Sequence, residues 1–343
     1  MDECIAQKLE KISSQKRIPL SVDVELTYCC NLNCKHCYLQ GRKVSGELAT
    51  AELFRLFDEL REMGTLYLTF TGGEPLLRPD FYNLADYAKE SAFALVIFTN
   101  GTLITESEAF RIAECSPLAV HISLLGAEPE THDSITGVRG SFRKVIRAVK
   151  FLKRAGVRVV LKTALMKQNY TEYEGIVSIC EQLEAEWQFD MVVSPTHWGG
   201  VRPLQYRLNQ EQWKALLKDK RFFSPEKFSP TRPEALLCSA GLNLVAVTPL
   251  GEVYPCLAWP CSLGNVREKS FKDIWEDSPY LTHLRKTEIS NVKECPSCPL
   301  LSYCPRCPGM AFLEEGDFRS PSRTNCQFAE AIGDSLQQAR QYK

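Results

Sequence analysis

Cys30, Cys34 and Cys37 lie in the stretch Tyr28-Cys29-Cys30-Asn31-Leu32-Asn33-Cys34-Lys35-His36-Cys37-Tyr38, with the spacing C-x3-C-x2-C. Three thiolates can hold three irons of a cubane cluster and leave the fourth iron open. An open iron can chelate a small ligand through an amine and a carboxylate, which a four-cysteine cluster cannot do. The same loop also suits zinc, which takes four ligands and could find its fourth in His36. Cys29 is out of register with the other three and reads as a buried or incidental thiol. A second group, Cys238, Cys256, Cys261, Cys295, Cys298, Cys304, Cys307 and Cys326, follows much later, with only Cys115 and Cys180 between the two groups. Its C-x2-C pairs alone read as readily as a zinc ribbon.

Fifteen cysteines in 343 residues would suggest a disulfide scaffold in a small secreted domain. This chain is long, shows no apolar signal stretch after its opening Met-Asp-Glu-Cys, and has no run of eighteen apolar residues. A cytoplasmic, metal-binding protein without a membrane span is the expectation. With 41 basic and 42 acidic side chains, nothing in the charge favours a nucleic-acid or membrane-surface partner.

The elements that must position these cysteines alternate. Strands are expected at 22–26, 66–70, 94–98, 119–124, 158–163 and 189–193, and helices at 49–63, 81–91, 142–155 and 173–183. The first helix shows Leu53, Leu56, Phe57 and Leu60 at helical spacing. Six strands with helical crossovers imply an α/β fold around a parallel sheet, with ligand sites at the C-terminal ends of its strands. Residues 196–237 read as a bridging segment. From 238 onward Pro, Cys and Gly dominate, and such a stretch is expected to need metal to fold. Residues 328–340 read as a closing helix.

The C-x3-C-x2-C followed by the aromatic Tyr38 resembles the radical S-adenosylmethionine superfamily, and further matches follow in chain order. Gly72-Gly73-Glu74-Pro75 after the second strand resembles that family's GGEP motif, where backbone and glutamate engage the methionine amino group of the cofactor. Two glycines permit close backbone approach, and a carboxylate pairs with an ammonium. Thr99-Asn100-Gly101 resembles the family's TNG turn. The stretch from His121 to Gly126 is similar to the strand whose serine, here Ser123, contacts the ribose or carboxylate of the cofactor. Residues 132–142 match the family's following linker. Many relatives carry arginine where Thr136 stands, so Arg139 becomes the candidate for that role. Lys162 and Asn169 fall in the next strand and loop, and Val193-Ser194-Pro195 ends the sixth strand near where the family places adenine.

The late cysteines resemble the SPASM extension of the same superfamily, which carries two auxiliary clusters. The order runs Cys238, Gly251, Cys256, then Cys295-x2-Cys298-x5-Cys304-x2-Cys307, then Cys326. The usual pattern has three residues in the last short gap; this chain has two. By matching order, one auxiliary cluster takes Cys238, Cys256 and Cys307, and the other takes Cys295, Cys298, Cys304 and Cys326. Cys261 is the candidate to complete the first set, and without it that cluster would keep an open iron.

The resemblance implies a partial (β/α)6 TIM-like barrel over 20–195, after an N-terminal extension over 1–19. A bridging segment over 196–237, an auxiliary-cluster domain over 238–326 and a closing helix over 327–343 complete the expected layout. It implies S-adenosylmethionine, a [4Fe–4S] cluster on Cys30, Cys34 and Cys37 and two auxiliary iron–sulfur clusters of the [4Fe–4S] type. It also implies an external electron donor of flavodoxin or ferredoxin type. Because SPASM enzymes commonly modify peptides, a ribosomally made peptide is the expected substrate. Only some twenty residues precede the first strand, so a separate peptide-recognition protein is expected too. Trp198, Gly199, Gly200 and Arg202 fall near the expected mouth of the site. The alternatives are oxidation of a small molecule, such as decarboxylation of a haem precursor, and a zinc-binding interaction module without enzymatic activity. Asp190, Tyr254 and Asp277 are candidates for an acid or base, each with an ordinary structural explanation, and nothing in the sequence selects among them.

Overall fold

The computed structural model describes residues 5–40, 45–224 and 230–341. The outermost residues of the N-terminal extension and of the closing helix, and 225–229 of the bridging segment, lie outside that range. Six parallel strands come first: β1 (Ser21–Thr27), β2 (Tyr67–Gly72), β3 (Ala94–Thr99), β4 (Ala119–Ser123), β5 (Val159–Ala164) and β6 (Glu186–Asp190). They pair in simple succession, each with the next. That is the arrangement of right-handed β/α crossovers closing part of a barrel.

Alternation within the strands explains the layering. In β1, Val22, Val24 and Leu26 are buried against the helices Thr50–Glu62 and Phe81–Glu90 through Leu53, Phe57, Leu60 and Leu84. The intervening Asp23 and Glu25 therefore point to the opposite, inner face. Helix Ser141–Arg154 buries Val145, Ala148, Val149 and Leu152 on the same outer core.

The sixth strand lies three residues before its expected position. Glu186-Trp187-Gln188-Phe189-Asp190 is a polar edge strand paired only with β5, and its alternate residues are exposed. The apolar run that suggested 189–193 instead leads off the sheet, where Val193 packs with Leu125, Ile135 and Met166.

The sheet does not end with the barrel. β7 (Leu244–Val247) pairs parallel with β1, and β8 (Glu252–Tyr254) and β9 (Gly264–Asn265) add antiparallel to it. The sheet thus has nine strands, ordered β6-β5-β4-β3-β2-β1-β7-β8-β9. Residues just after Cys238 join the barrel's own core: Val245, Val247, Trp259, Phe271 and Trp275 are fully buried with it. The bridging segment is more regular than its composition suggested. Helix Gln210–Leu217, capped by Asn209, buries Trp213, Leu216 and Leu217 against the closing helix Arg323–Gln341. Among the described residues no helix is long and apolar enough to cross a membrane.

Candidate active site

The loop carrying Cys30, Cys34 and Cys37 leaves the C-terminal end of β1 and is pinned at several points. Asn33 N–H donates to Thr136 O (3.0 Å), Lys35 N–H to Ile135 O (3.0 Å) and Tyr28 N–H to Glu47 Oε1 (2.8 Å). The three thiols face one another. Burial raises all three; Cys34 is raised further by Cys37 and Cys30, and Cys37, at about 11, by Cys30. Such a set of mutually repelling thiolates is stable only when a cation centre shares their charge. His36 stands apart. Burial alone lowers it to about 4, and none of the three cysteines perturbs it. Among the described residues no three or more His, Cys, Asp or Glu side chains converge on a single-ion site. A cubane gives each thiolate its own iron and needs no such convergence, so the donor set fits a [4Fe–4S] cluster.

The Gly72–Pro75 turn docks on this loop. Gly73 N–H donates to Thr27 O (2.7 Å) and Glu74 N–H to Cys29 O (2.8 Å). A Cβ at Gly72 (φ +127°) would stand 2.3 Å from Thr27 O, and one at Gly73 would stand 2.2 Å from Cys29 O. The glycines are thus demanded by the cysteine loop's own backbone, a reason beyond approach to a ligand. Glu74 is fully buried beneath the cavity. Its Oε1 accepts from Thr99 Oγ1 (2.7 Å) and Leu76 N–H (3.2 Å), and its Oε2 accepts from Asn100 N–H (2.7 Å). Burial outweighs these donors and raises it to about 7. Pro75, also buried, starts the short turn that follows. Asn100 reaches back to the loop, donating to Asn31 Oδ1 (2.8 Å) and approaching Cys30 Sγ (3.8 Å).

These parts enclose a cavity of about 470 Å³ at the C-terminal ends of the strands. Cys30, Cys34, Cys37, Tyr38, Gly72, Gly73, Asn100 and Ser123 line it. Glu74, Pro75, Arg139 and Val193 do not. Arg139 is exposed on the turn before helix Ser141–Arg154, and the carbonyl of Val193 accepts from the Arg207 guanidinium. The inner wall was less legible from residue types alone. Tyr38 Oη donates to Glu25 Oε1 (2.7 Å), and its ring lies 4.5 Å from that of His197. Phe98 stacks on His121 (4.7 Å) beneath the Lys162 ammonium (4.5 Å), and Ser123 pairs in register with Lys162. Asp23 is raised by burial against the opposing pull of Thr69 and Lys162. The signal for these residues was present in Val-Asp-Val-Glu-Leu, where acids alternate with apolar residues along a strand of a closed core.

The later cysteines assemble into two sets. Cys256 is pushed up by burial and by Cys238 and Cys307. Cys304, pushed up to about 12 by burial, also feels Cys326, Cys295 and Cys298. The Cys261 thiol shares a hydrogen bond with the Tyr280 hydroxyl.

The chain matches the Radical SAM superfamily over residues 24–180 and the SPASM iron–sulfur cluster-binding domain over residues 238–299. Cys304, Cys307 and Cys326 lie beyond the second match. An AdoMet-dependent heme synthase of Oleidesulfovibrio alaskensis is 30% identical, covering 85% of this chain and 83% of that protein. The mycofactocin maturase MftC of Mycobacterium tuberculosis is 29% identical, covering 89% and 82%. In fold, the chain resembles Streptococcus suis SuiB bound to S-adenosylmethionine, with a TM-score of 0.73 at 19% identity over 94% of this chain and 81% of that one. SuiB bound to its precursor peptide SuiA gives 0.72 over 94% and 80%, also at 19% identity.

Proposed function

Because the chain belongs to the radical SAM superfamily and carries a SPASM domain, we propose that it modifies a ribosomally made peptide by a crosslink, a thioether or an oxidation. It is an enzyme whose cofactors are S-adenosylmethionine, a [4Fe–4S] cluster and auxiliary iron–sulfur clusters. The chemistry the bound group supplies is one-electron cleavage of a sulfonium C–S bond, giving methionine and a 5′-deoxyadenosyl radical that takes hydrogen from an unactivated carbon.

In this reading Cys30, Cys34 and Cys37 ligate the first cluster. The convergence of these thiols with Asn100 and Ser123 on one cavity carries the assignment. The Gly72–Pro75 turn orients the cysteine loop through its two backbone hydrogen bonds, and Glu74 ties that turn to the end of β3. Tyr38, held by Glu25, closes the inner wall and keeps water from the reacting centre. Cys238, Cys256 and Cys307 hold one auxiliary cluster, and Cys295, Cys298, Cys304 and Cys326 the other. An external electron donor and a separate peptide-recognition protein complete the system, in a reducing cytoplasm that keeps the thiolates available.

The peptide substrate is supported by the likeness to a maturase over most of both chains and by the peptide-bound SuiB fold. A second reading, oxidative decarboxylation of a haem precursor, is favoured by the heme synthase relatives at 28–30% identity. Anaerobically reconstituted enzyme, given dithionite and S-adenosylmethionine, separates the two. Peptides encoded beside the gene should show a mass change with 5′-deoxyadenosine formation. Turnover of a porphyrin propionate with no change in any such peptide would transfer the assignment to the second reading.

A further inference from the structure

The two-residue gap between Cys304 and Cys307 is the place where the sequence departs from the common SPASM spacing, and it contains Arg306. Its ends belong to different thiol sets, Cys304 to one and Cys307 to the other. Arg306 is therefore on the shortest covalent link between the two auxiliary sites.

The guanidinium is fixed there. Nη2 donates to Phe318 O (2.5 Å) and Ser320 O (3.1 Å), and Nη1 lies 3.5 Å from Cys295 Sγ. The link itself is clamped by Asn325, which accepts from Cys307 N–H (3.2 Å) and donates to Pro305 O (3.3 Å). Nε is buried with no hydrogen-bond partner. Among the described residues no carboxylate forms an ion pair with this cation. A half-buried arginine with a free donor and no counter-ion is costly unless the negative charge lies in what its surroundings bind. The groups it faces are thiols of both sets: its positive charge favours the thiolates of Cys238 and Cys307 on one side and of Cys295, Cys304 and Cys326 on the other.

We propose that Arg306 is a positioning and tuning residue shared by the two auxiliary clusters, raising the reduction potential of both. This rests on the reading of the two thiol sets as cluster ligands. The physics is direct: reducing a cluster adds one electron and so one unit of negative charge, and a fixed cation beside it stabilises the reduced form. Net charge and hydrogen bonds to the sulfurs are among the factors that set cluster potentials.

The test is a potentiometric titration followed by electron paramagnetic resonance. It uses full-length reconstituted protein carrying Cys30→Ala, Cys34→Ala and Cys37→Ala, so that only the auxiliary clusters contribute. Each signal is assigned by its loss when that set's own cysteines are replaced. Arg306→Gln should lower the reduced-to-oxidised ratio of both clusters about tenfold at fixed potential, which is about 59 mV for one electron. Arg306→Lys, which keeps the charge, should hold both ratios within about threefold of the parent. Unmoved midpoints in Arg306→Gln with about eight irons bound per chain, or movement of one cluster alone, would overturn the proposal. If Arg306→Gln sheds its iron, the lysine variant decides: retained midpoints support charge tuning, and a fall of about tenfold contradicts it. A parent protein that binds no iron would overturn the ligand reading itself.

Discussion

The barrel and the tail of this chain solve the same problem, holding cysteines around a cluster, by opposite means. Over 21–190 the strands bury an apolar outer face on the helices, and the cysteine loop is carried by a framework complete without it. Over 285–326 the described residues form three short 3-10 turns, Ile289–Asn291, Cys295–Ser297 and Leu301–Tyr303, then the eight-residue helix Pro308–Glu315, with fewer buried apolar groups than the barrel, among them Ile289, Val292, Leu301, Met310 and Phe318. The five cysteines of this stretch are half-buried among them. If the proposed ligand sets are right, the fold places the cofactor in the first region, and in the second the cofactor is expected to be part of the fold. β7, β8 and the tryptophans at 259 and 275, within the span matched to the SPASM domain, pack into the barrel's sheet and core.

The sharpest way to break this comparison is to remove ligands from the tail. Cys295→Ser with Cys298→Ser should remove about four irons and open residues 285–326 to hydrogen exchange, while the exchange protection of β1–β5 persists. Equal loss of protection in both regions would show that the barrel, too, depends on metal. Next is the tie between the regions. Arg207 donates to Val193 O (2.7 Å) and pairs with Glu314 (3.2 Å), the two side chains being only 14% and 11% exposed. Arg207→Ala removes the cation from the Glu314 carboxylate, leaving only its donors Ser322 and Thr324, and should cost about 1–3 kcal/mol in urea unfolding, with the loss confined to the tail if the regions unfold separately.

A pH test probes the barrel alone. His132 is buried, its Nδ1 accepting from Leu125 N–H (3.1 Å), and burial lowers it to about 4 from an ordinary 6.5. The unfolded chain therefore binds the proton more readily between those values. The stability His132 contributes is complete above pH 6.5 and is lost as pH falls toward 4, by up to about 3 kcal/mol. His132→Gln keeps an acceptor for Leu125 and should flatten that part of the urea-midpoint profile. The smallest effect is a cap. Asp133 accepts from Phe142 N–H (2.9 Å) and Ser141 Oγ (2.9 Å) at the start of helix Ser141–Arg154, and Asp133→Ala should cost about 1 kcal/mol by thermal or urea unfolding.

The same contrast explains what was legible in the sequence. β1 to β5 announced themselves because both helix-facing burial and strand ends left period-two patterns, as in Val22-Asp23-Val24-Glu25-Leu26. β6 misled because an edge strand needs few apolar residues. Helix Gln210–Leu217 was hidden in a mixed composition, although Asn209 and Gln212 form a capping box ahead of Trp213. At the site, cysteine identity and spacing were readable because metal chemistry constrains both. The bonding of Glu74, the distance of Arg139 and Val193 from the cavity, and the place of Cys261 beside Tyr280 depend on how loops pack, and spacing does not encode that.

The most direct measurement of the central claim is 5′-deoxyadenosine formation by anaerobically reconstituted enzyme reduced with dithionite in the presence of S-adenosylmethionine. The wild-type chain, loaded with about twelve irons, should form it. The variant with Cys30, Cys34 and Cys37 all replaced by Ala should form none while keeping about eight irons. A fully loaded wild type that leaves S-adenosylmethionine intact, or cleavage that persists in the variant, would contradict the account.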